Sequence, residues 1–267
     1  MSTGLYAVQH IRRMRGGAQS HLLRASDGNF FVVKFANNPQ HVRVLANEMF
    51  ASRLGQWLGL PIPRVEVIEA SDWLITNTPD LRVEVGGSAV PCSSGKQLAS
   101  LYPPLETQVF DYLPESMLEN VSNRAEFGRV LVLDKWTGNA DGRQAIFTRS
   151  RRGRKFAASF IDQGYCFNAG EWTFPDSALR GVYARNCVYA GVTGWESFEP
   201  ALSRAEEADP VDLWRCADPI PPEWYEYDHD GLSRMVESLY QRRRIIRDLI
   251  NAFRSSSRNP FPNWAEN

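Results

Sequence analysis

Residues 30–35, Phe30-Phe31-Val32-Val33-Lys34-Phe35, are rich in strand formers, and a period of two puts Phe30, Val32 and Lys34 on one face. The turn Asp27-Gly28 precedes this run and follows the short segment His21-Leu22-Leu23-Arg24, a pattern that predicts a hairpin. Over residues 41–58, Leu45, Met49, Phe50, Leu54, Trp57 and Leu58 recur at helical spacing and form one broad apolar side, which Glu48 borders. Gly59-Leu60-Pro61-Ile62-Pro63 ends that helix, and residues 64–69 and 73–76 read as two further strands. An antiparallel sheet carrying one helix is thereby expected over residues 1–80.

Residues 79–104 are rich in Gly, Ser and Pro without periodicity, so the connection to a second lobe is placed near their beginning. A helix over residues 124–136, with Phe127, Val130, Leu131 and Leu133 on its apolar surface, leads into the polar loop Thr137-Gly138-Asn139-Ala140-Asp141-Gly142-Arg143-Gln144. Residues 145–149 and 156–161 read as strands joined by the turn Ser150-Arg151-Arg152-Gly153. An antiparallel hairpin is the economical arrangement, and it brings Asp162 beside the polar loop. Residues 231–253 form the clearest late helix. The chain thus predicts an α+β fold of two lobes: residues 1–80, a mainly helical second lobe over 81–255, and a loose tail over 256–267. Neither internal repeats nor a second independent domain is visible.

Composition narrows the function classes. With 267 residues, 43% of them hydrophobic, the chain can bury a substantial core. A formal net charge of −1 gives no electrostatic case for a general nucleic-acid binder or a membrane-surface protein, so small-molecule or protein partners are expected. No stretch approaches the roughly 20 apolar residues of a spanning helix. Cys92, Cys166, Cys187 and Cys216 lack the paired spacing of a zinc site. Both features point to the cytoplasm. Asp228-His229-Asp230 has no second His or Cys nearby and predicts no transition-metal site. The basic runs Arg151, Arg152, Arg154, Lys155 and Arg242-Arg243-Arg244 read as solvated faces, and the late residues Trp172, Trp195, Trp214, Trp224 and Tyr225 as packing.

The chemistry lies in a few charged positions. Lys34, one of only four lysines, interrupts an apolar strand, where an unpaired ammonium is costly, and Glu48 on the following helix is placed to pair with it. Asp141, in a short loop after an apolar helix, could orient the proton of a substrate hydroxyl. Asp162 ends an apolar strand before Gln163-Gly164 and offers a carboxylate to magnesium, with Gln144 as a further amide ligand or simply a hydrogen-bonding neighbour of the adjacent strand. The pair Gly16-Gly17 lets backbone N–H groups approach phosphates. Taken singly, each of these is ordinary: a strand lysine reaching water, an Asp-Gly turn, a Gly-Gly turn. Their order along the chain carries the signal.

That order resembles the HipA-like kinases, bacterial relatives of the serine/threonine kinase HipA. The resemblance rests on Gly17-Ala18-Gln19-Ser20, Val33-Lys34-Phe35, Asn47-Glu48, Gly59-Leu60-Pro61-Ile62-Pro63, Gly138-Asn139-Ala140-Asp141 and Ile161-Asp162, and covers roughly the first two-thirds of the chain. It implies ATP bound between two lobes, Lys34 on the phosphates and supported by Glu48, Asp141 as catalytic aspartate, and Asp162 as principal magnesium ligand. It further implies a protein Ser/Thr hydroxyl as acceptor and a regulatory or antitoxin partner. Two departures are expected. At this length the chain lacks the additional N-terminal subdomain of full HipA toxins, and no asparagine stands five residues after Asp141, leaving Gln144 as nearest replacement. A catalytically weak pseudokinase, a small-molecule or lipid kinase, and a transferase of AMP remain as alternatives.

Overall fold

The computed structural model describes residues 4–265. The chain begins with β1 (Leu5–Arg13), β2 (His21–Ala25), β3 (Phe30–Lys34) and α1 (Val44–Trp57), then β4 (Val65–Ala70), α2 (Asp72–Thr76), the short hairpin β5 (Arg82–Val85) and β6 (Ser88–Pro91), and β7 (Gly95–Leu101). Strands β1-β2-β3-β7-β4 close into a five-stranded barrel, antiparallel throughout except where β1 meets β4. Closure removes the free edges that an open sheet of this size would present.

The period of two in β3 sorts its side chains as expected. Phe31 and Val33 point into the barrel core with Leu23, Phe35, Ile68 and Ala99. Phe30, Val32 and Lys34 lie on the opposite face, where Val32 and Lys34 border a cavity.

The remainder comprises β8 (Thr107–Phe110), α3 (Glu115–Leu118), α4 (Glu126–Thr137), β9 (Gln144–Ser150), β10 (Ala157–Ile161), α5 (Ala201–Glu207), α6 (Pro210–Ala217), α7 (His229–Arg242) and α8 (Ile246–Arg254). β8, β9 and β10 form an antiparallel sheet with β9 in the middle, in which Ile161 pairs with Gln144. α4 is buried over nearly its whole length, and Phe127, Val130, Leu131, Leu133 and Trp136 join the larger apolar core with Met49, Phe50 and Leu54 of α1. Among the described residues no helix is long and apolar enough to cross a membrane.

Five expectations are corrected. Residues 73–76 are helix, not strand: Ser71 caps α2 by accepting from the Leu74 N–H, and Asp72 sits favourably in its first turn. The first sheet does not finish near residue 80, because β7 at residues 95–101 lies between β3 and β4 and completes the barrel. The late helix over 231–253 is two helices with a 3-10 turn between them at Arg243–Ile245. Where its core-facing stripe should continue stands Arg242, buried rather than solvated, donating to the Trp136 and Lys135 carbonyls at the end of α4. The tail is docked, not loose, as far as residue 265: Phe261 is buried against Tyr189, Phe198 and Phe253, and Arg258 donates to the Tyr183 and Ala184 carbonyls. Residues 266–267 and, at the other end, 1–3 lie outside the described residues.

Candidate active site

Lys34 emerges from the end of β3 with its Nζ donating to Glu48 Oε2 at 2.8 Å and to Asp162 Oδ1 at 2.7 Å. Only 8% of the lysine is exposed, and Glu48 is buried as well. Burial by itself works to lower the Lys34 pKa, but the carboxylates of Glu48 and Asp162 overcome it and hold the ammonium well above the ordinary lysine value. Asp162 mirrors this: burial works to raise its pKa, and the Lys34 ammonium holds it below the usual carboxylate range.

Asp162 follows β10 directly and adopts φ +63°, a left-handed conformation that few non-glycine residues take. The next residues explain how that conformation persists. A Cβ on Gly164 would stand 2.5 Å from Val44 Cγ2 and 3.4 Å from Glu48 Oε2, so only glycine lets the chain pass this close to α1. Asn47, next to Glu48, then staples the following turns: its Nδ2 donates to the carbonyls of Gly164, Cys166 and Ala169, and its Oδ1 accepts from Trp172 Nε1. One helical turn of α1 therefore fixes both the lysine and the chain after Asp162.

The polar loop after α4 is held from below by a buried network. Asp134 accepts from Arg143 Nε at 3.0 Å, from Arg143 Nη2, and from Asn139 Nδ2 at 2.8 Å, while Arg143 Nη1 donates to the Ile161 carbonyl at 2.9 Å. The side chains of Asp134 and Arg143 are wholly enclosed. Asn139 Oδ1 in turn accepts from the Asp141 N–H at 3.1 Å. The loop is thus bolted to α4 on one side and, through Ile161, to the strand that delivers Asp162.

Above this network Asp141 is exposed, and Gln144, at the start of β9, lies between the two aspartates. Its Nε2 donates to Asp162 Oδ2 at 2.9 Å and reaches Asp141 Oδ2 at 3.4 Å. Gly16 and Gly17 sit in the turn between β1 and β2, with Gly16 at φ +119°, a conformation that disfavours side chains. Gln19 anchors this turn from behind, its amide pairing with the Glu84 backbone in β5 and accepting from Arg13. Gly16, Gly17, Lys34, Glu48, Gln144 and Asp162 all line one cavity of about 710 Å³, within the size range of small-molecule sites.

The structure therefore gathers Lys34, Glu48, Asp162, Gln144 and the Gly16-Gly17 turn around one cavity, with Asp141 joined to them through Gln144. The sequence reading gave no supporting role to Asn47, Asn139 or Arg143, and did not single out Asp134. Their one legible signal was polarity where apolar residues were due: Asn47 and Asp134 interrupt the buried faces of α1 and α4. At the late Asp-His-Asp run, Asp228 caps α7 and pairs with Arg43, and His229 lies 3.2 Å from the Tyr225 hydroxyl.

Known proteins share this arrangement at the level of fold. The chain superposes on hydra Fam20 solved with sugar at a TM-score of 0.55 and 12% identity, over 96% of this chain and 88% of that one. The Golgi casein kinase with Mn and ADP bound gives 0.53 and 12%, over 94% and 74%. HipA of Shewanella oneidensis MR-1, solved with HipB and operator DNA, gives 0.52 and 11%, over 94% and 69%. No curated protein matches the chain in sequence. The HipA-like kinase family, however, matches residues 7–150, which hold Gly16, Gly17, Lys34, Glu48, Asp141 and Gln144 and stop short of Asp162. That match spans more than half of the chain, which belongs to the HipA-like kinase family.

Proposed function

We propose that this chain is an ATP- and magnesium-dependent kinase that transfers the γ-phosphoryl group to a protein Ser/Thr hydroxyl, with two lobes closing on the nucleotide. The observation that carries this reading is the convergence of Lys34, Glu48, Asp162 and Gln144 on one cavity of about 710 Å³, with Asp141 joined to them through the Gln144 amide.

The carboxylates fit a hard divalent cation: Asp162 and Asp141 offer oxygens of the kind magnesium and manganese prefer, and Gln144, whose Nε2 faces both carboxylates, would add its amide oxygen only with the amide turned over. A cation held there would neutralise charge on the transferring phosphate oxygens. Lys34 would turn its ammonium to the nucleotide phosphates while Glu48 keeps it charged and aimed. Asp141 would accept a hydrogen bond from the acceptor hydroxyl and orient its oxygen for attack. The backbone of Gly16 and Gly17 would cover the phosphates and limit access of water. The Golgi casein kinase solved with Mn and ADP supports nucleotide and divalent-metal use. HipA solved with HipB supports a protein partner of antitoxin type.

Incubation with ATP labelled at the α- or the γ-phosphate tests the reading. Label should pass to protein only from the γ position. Asp141→Ala should abolish transfer yet keep nucleotide-induced thermal stabilisation, and Asp162→Ala should lose metal-dependent stabilisation. Equal transfer by wild type and Asp141→Ala overturns the assignment. Nucleotide binding without transfer would leave a binding module, the reading favoured by the three-residue spacing between Asp141 and Gln144.

A further inference from the structure

Behind the loop that carries Asp141 lies a second charged cluster that phosphoryl transfer does not use. Lys135 of α4, Arg180 and Arg242 of α7 line one shallow depression together with Asp176 and Ser177. Lys135 is buried, and its Nζ donates to the Ala178 and Arg180 carbonyls, each at 2.8 Å. Arg242 Nη2 pairs with Asp176 Oδ1 at 2.8 Å. Arg180 Nη2 donates to Asn168 and Gly138, and its Nε is buried without a hydrogen-bond partner.

The charges do not balance. Asp134, the other carboxylate nearby, accepts its hydrogen bonds from Arg143 and Asn139, so among the described residues Asp176 is the one carboxylate ion-paired with any of the three cations. The imbalance shows in their titration. Burial outweighs Asp134 and Asp176 and, with Arg180 adding to it, pushes Lys135 down to about 8. Burial, reinforced by Arg242, likewise holds Arg180 below its ordinary value despite Asp176. A site with surplus buried cations and an orphaned guanidinium N–H is built for an anion, and a dianion with several acceptor oxygens suits it best.

The depression encloses only about 10 Å³, room for no more than one water, so a phosphate would sit across its mouth, against the residues of the rim. Ser177 stands exposed at the rim, next to Asp176 and three residues before Arg180, whose N–H donates to the Ser177 carbonyl at 3.3 Å. We propose that Ser177 is a phosphorylation site whose phosphate is received by Arg180, Lys135 and Arg242. In that modification Ser177 Oγ bonds to the γ-phosphorus of a nucleoside triphosphate as the bond from that phosphorus to the β,γ-bridging oxygen breaks. The nucleoside diphosphate leaves with the electron pair, and the serine proton passes to solvent.

The consequence reaches the candidate active site. Arg180 also holds the Gly138 carbonyl, and the next residue, Gly181, donates its N–H to the Asp141 carbonyl at 3.1 Å. A phosphate that captures Arg180 therefore stiffens the loop presenting Asp141, a phosphorylation-ordered segment. Only this last link rests on the kinase reading; the phosphate site stands on its own.

Phosphoserine installed at position 177 during translation of the full chain separates the two. In a phosphorus NMR titration the second phosphate pKa, about 6 for a free phosphoserine, should lie about one pH unit lower in the folded protein than in urea. Arg180→Met should remove much of that lowering, and phosphoserine at the exposed Ser116, between Glu115 and Glu119, should show none. The phosphorylated protein should also melt about 2–4 °C above the unmodified one. A folded-state pKa equal to the urea value, the same lowering at position 116, or a lowering that survives Arg180→Met overturns the proposal. None of these outcomes depends on whether the chain transfers phosphate from ATP.

Discussion

Lys34 and Arg143 are both buried cations held by carboxylates, yet their surroundings differ in kind. Arg143 lies wholly enclosed against one carboxylate, with Nε and Nη2 on Asp134 and Nη1 on a backbone carbonyl. Its charge is balanced within the fold. Lys34 faces a cavity with two carboxylates on one ammonium, and Asp162 also leans on the Gln144 amide. One negative charge is left over and turned towards open space. The balanced pair is a scaffold; the unbalanced one is prepared for a cation and a polyphosphate that the fold does not itself supply. Burial alone would have ranked Arg143 as the better functional candidate, and charge balance reverses that order.

The largest effect should come from breaking the balanced pair. Asp134→Ala leaves Arg143 enclosed without a counter-ion and also frees Asn139, which positions the Asp141 N–H. Removing one member of a buried pair costs about 3–5 kcal/mol, so the urea midpoint should fall steeply. A midpoint within experimental error of wild type would show that the scaffold lies elsewhere.

Asp162→Asn should cost less, about 1–3 kcal/mol at neutral pH, because Lys34 keeps Glu48 as a paired neighbour. The pH dependence sharpens the contrast. Asp162 has a folded pKa below its unfolded value, so its contribution is complete above the ordinary carboxylate pKa of about 3.9 and is lost as pH falls through the lower, folded value. The asparagine variant should therefore show a shallower loss of stability on the acid side than wild type. Parallel acid limbs would mean that Lys34 does not hold the carboxylate.

What could be read from the chain follows the same division between local and distant causes. β3, α1, α4 and the β9–β10 hairpin each carry their own periodicity, and Lys34, Glu48, Asp141 and Asp162 sit at the ends or edges of those elements, so their approximate meeting was legible. β7 was not. Its seven residues, Gly95-Lys96-Gln97-Leu98-Ala99-Ser100-Leu101, have little strand propensity, and its partners β3 and β4 lie far back in the sequence. Buried Gln97 instead secures the strand's entry, accepting from the Ala36 N–H and donating to the carbonyls of Ser93, Ser94 and Gly95. β1 was equally hidden, since only Ala7 along its length is buried. The polar anchors Asn47, Asp134 and Arg143 escaped because their partners become neighbours only after folding.

The smallest effect on stability, and the finest test of the comparison, belongs to Gln144. Its amide is exposed and bridges Asp141 and Asp162 without being enclosed by either half of the molecule. Gln144→Ala removes two solvent-facing hydrogen bonds and should shift stability by under about 1 kcal/mol. If the surplus negative charge at Asp162 serves a cation, the same substitution should raise the magnesium concentration needed for nucleotide-induced thermal stabilisation, while leaving metal-free stability nearly untouched. Gln144→Glu adds another carboxylate and should lower the required magnesium while reducing metal-free stability, because it crowds like charge against Asp141 and Asp162. Opposite signs in the two variants, read in one titration, would tie the unbalanced cluster to metal binding. Equal behaviour of alanine and glutamate would make Gln144 only a spacer between two aspartates and would return the metal site to Asp162 alone.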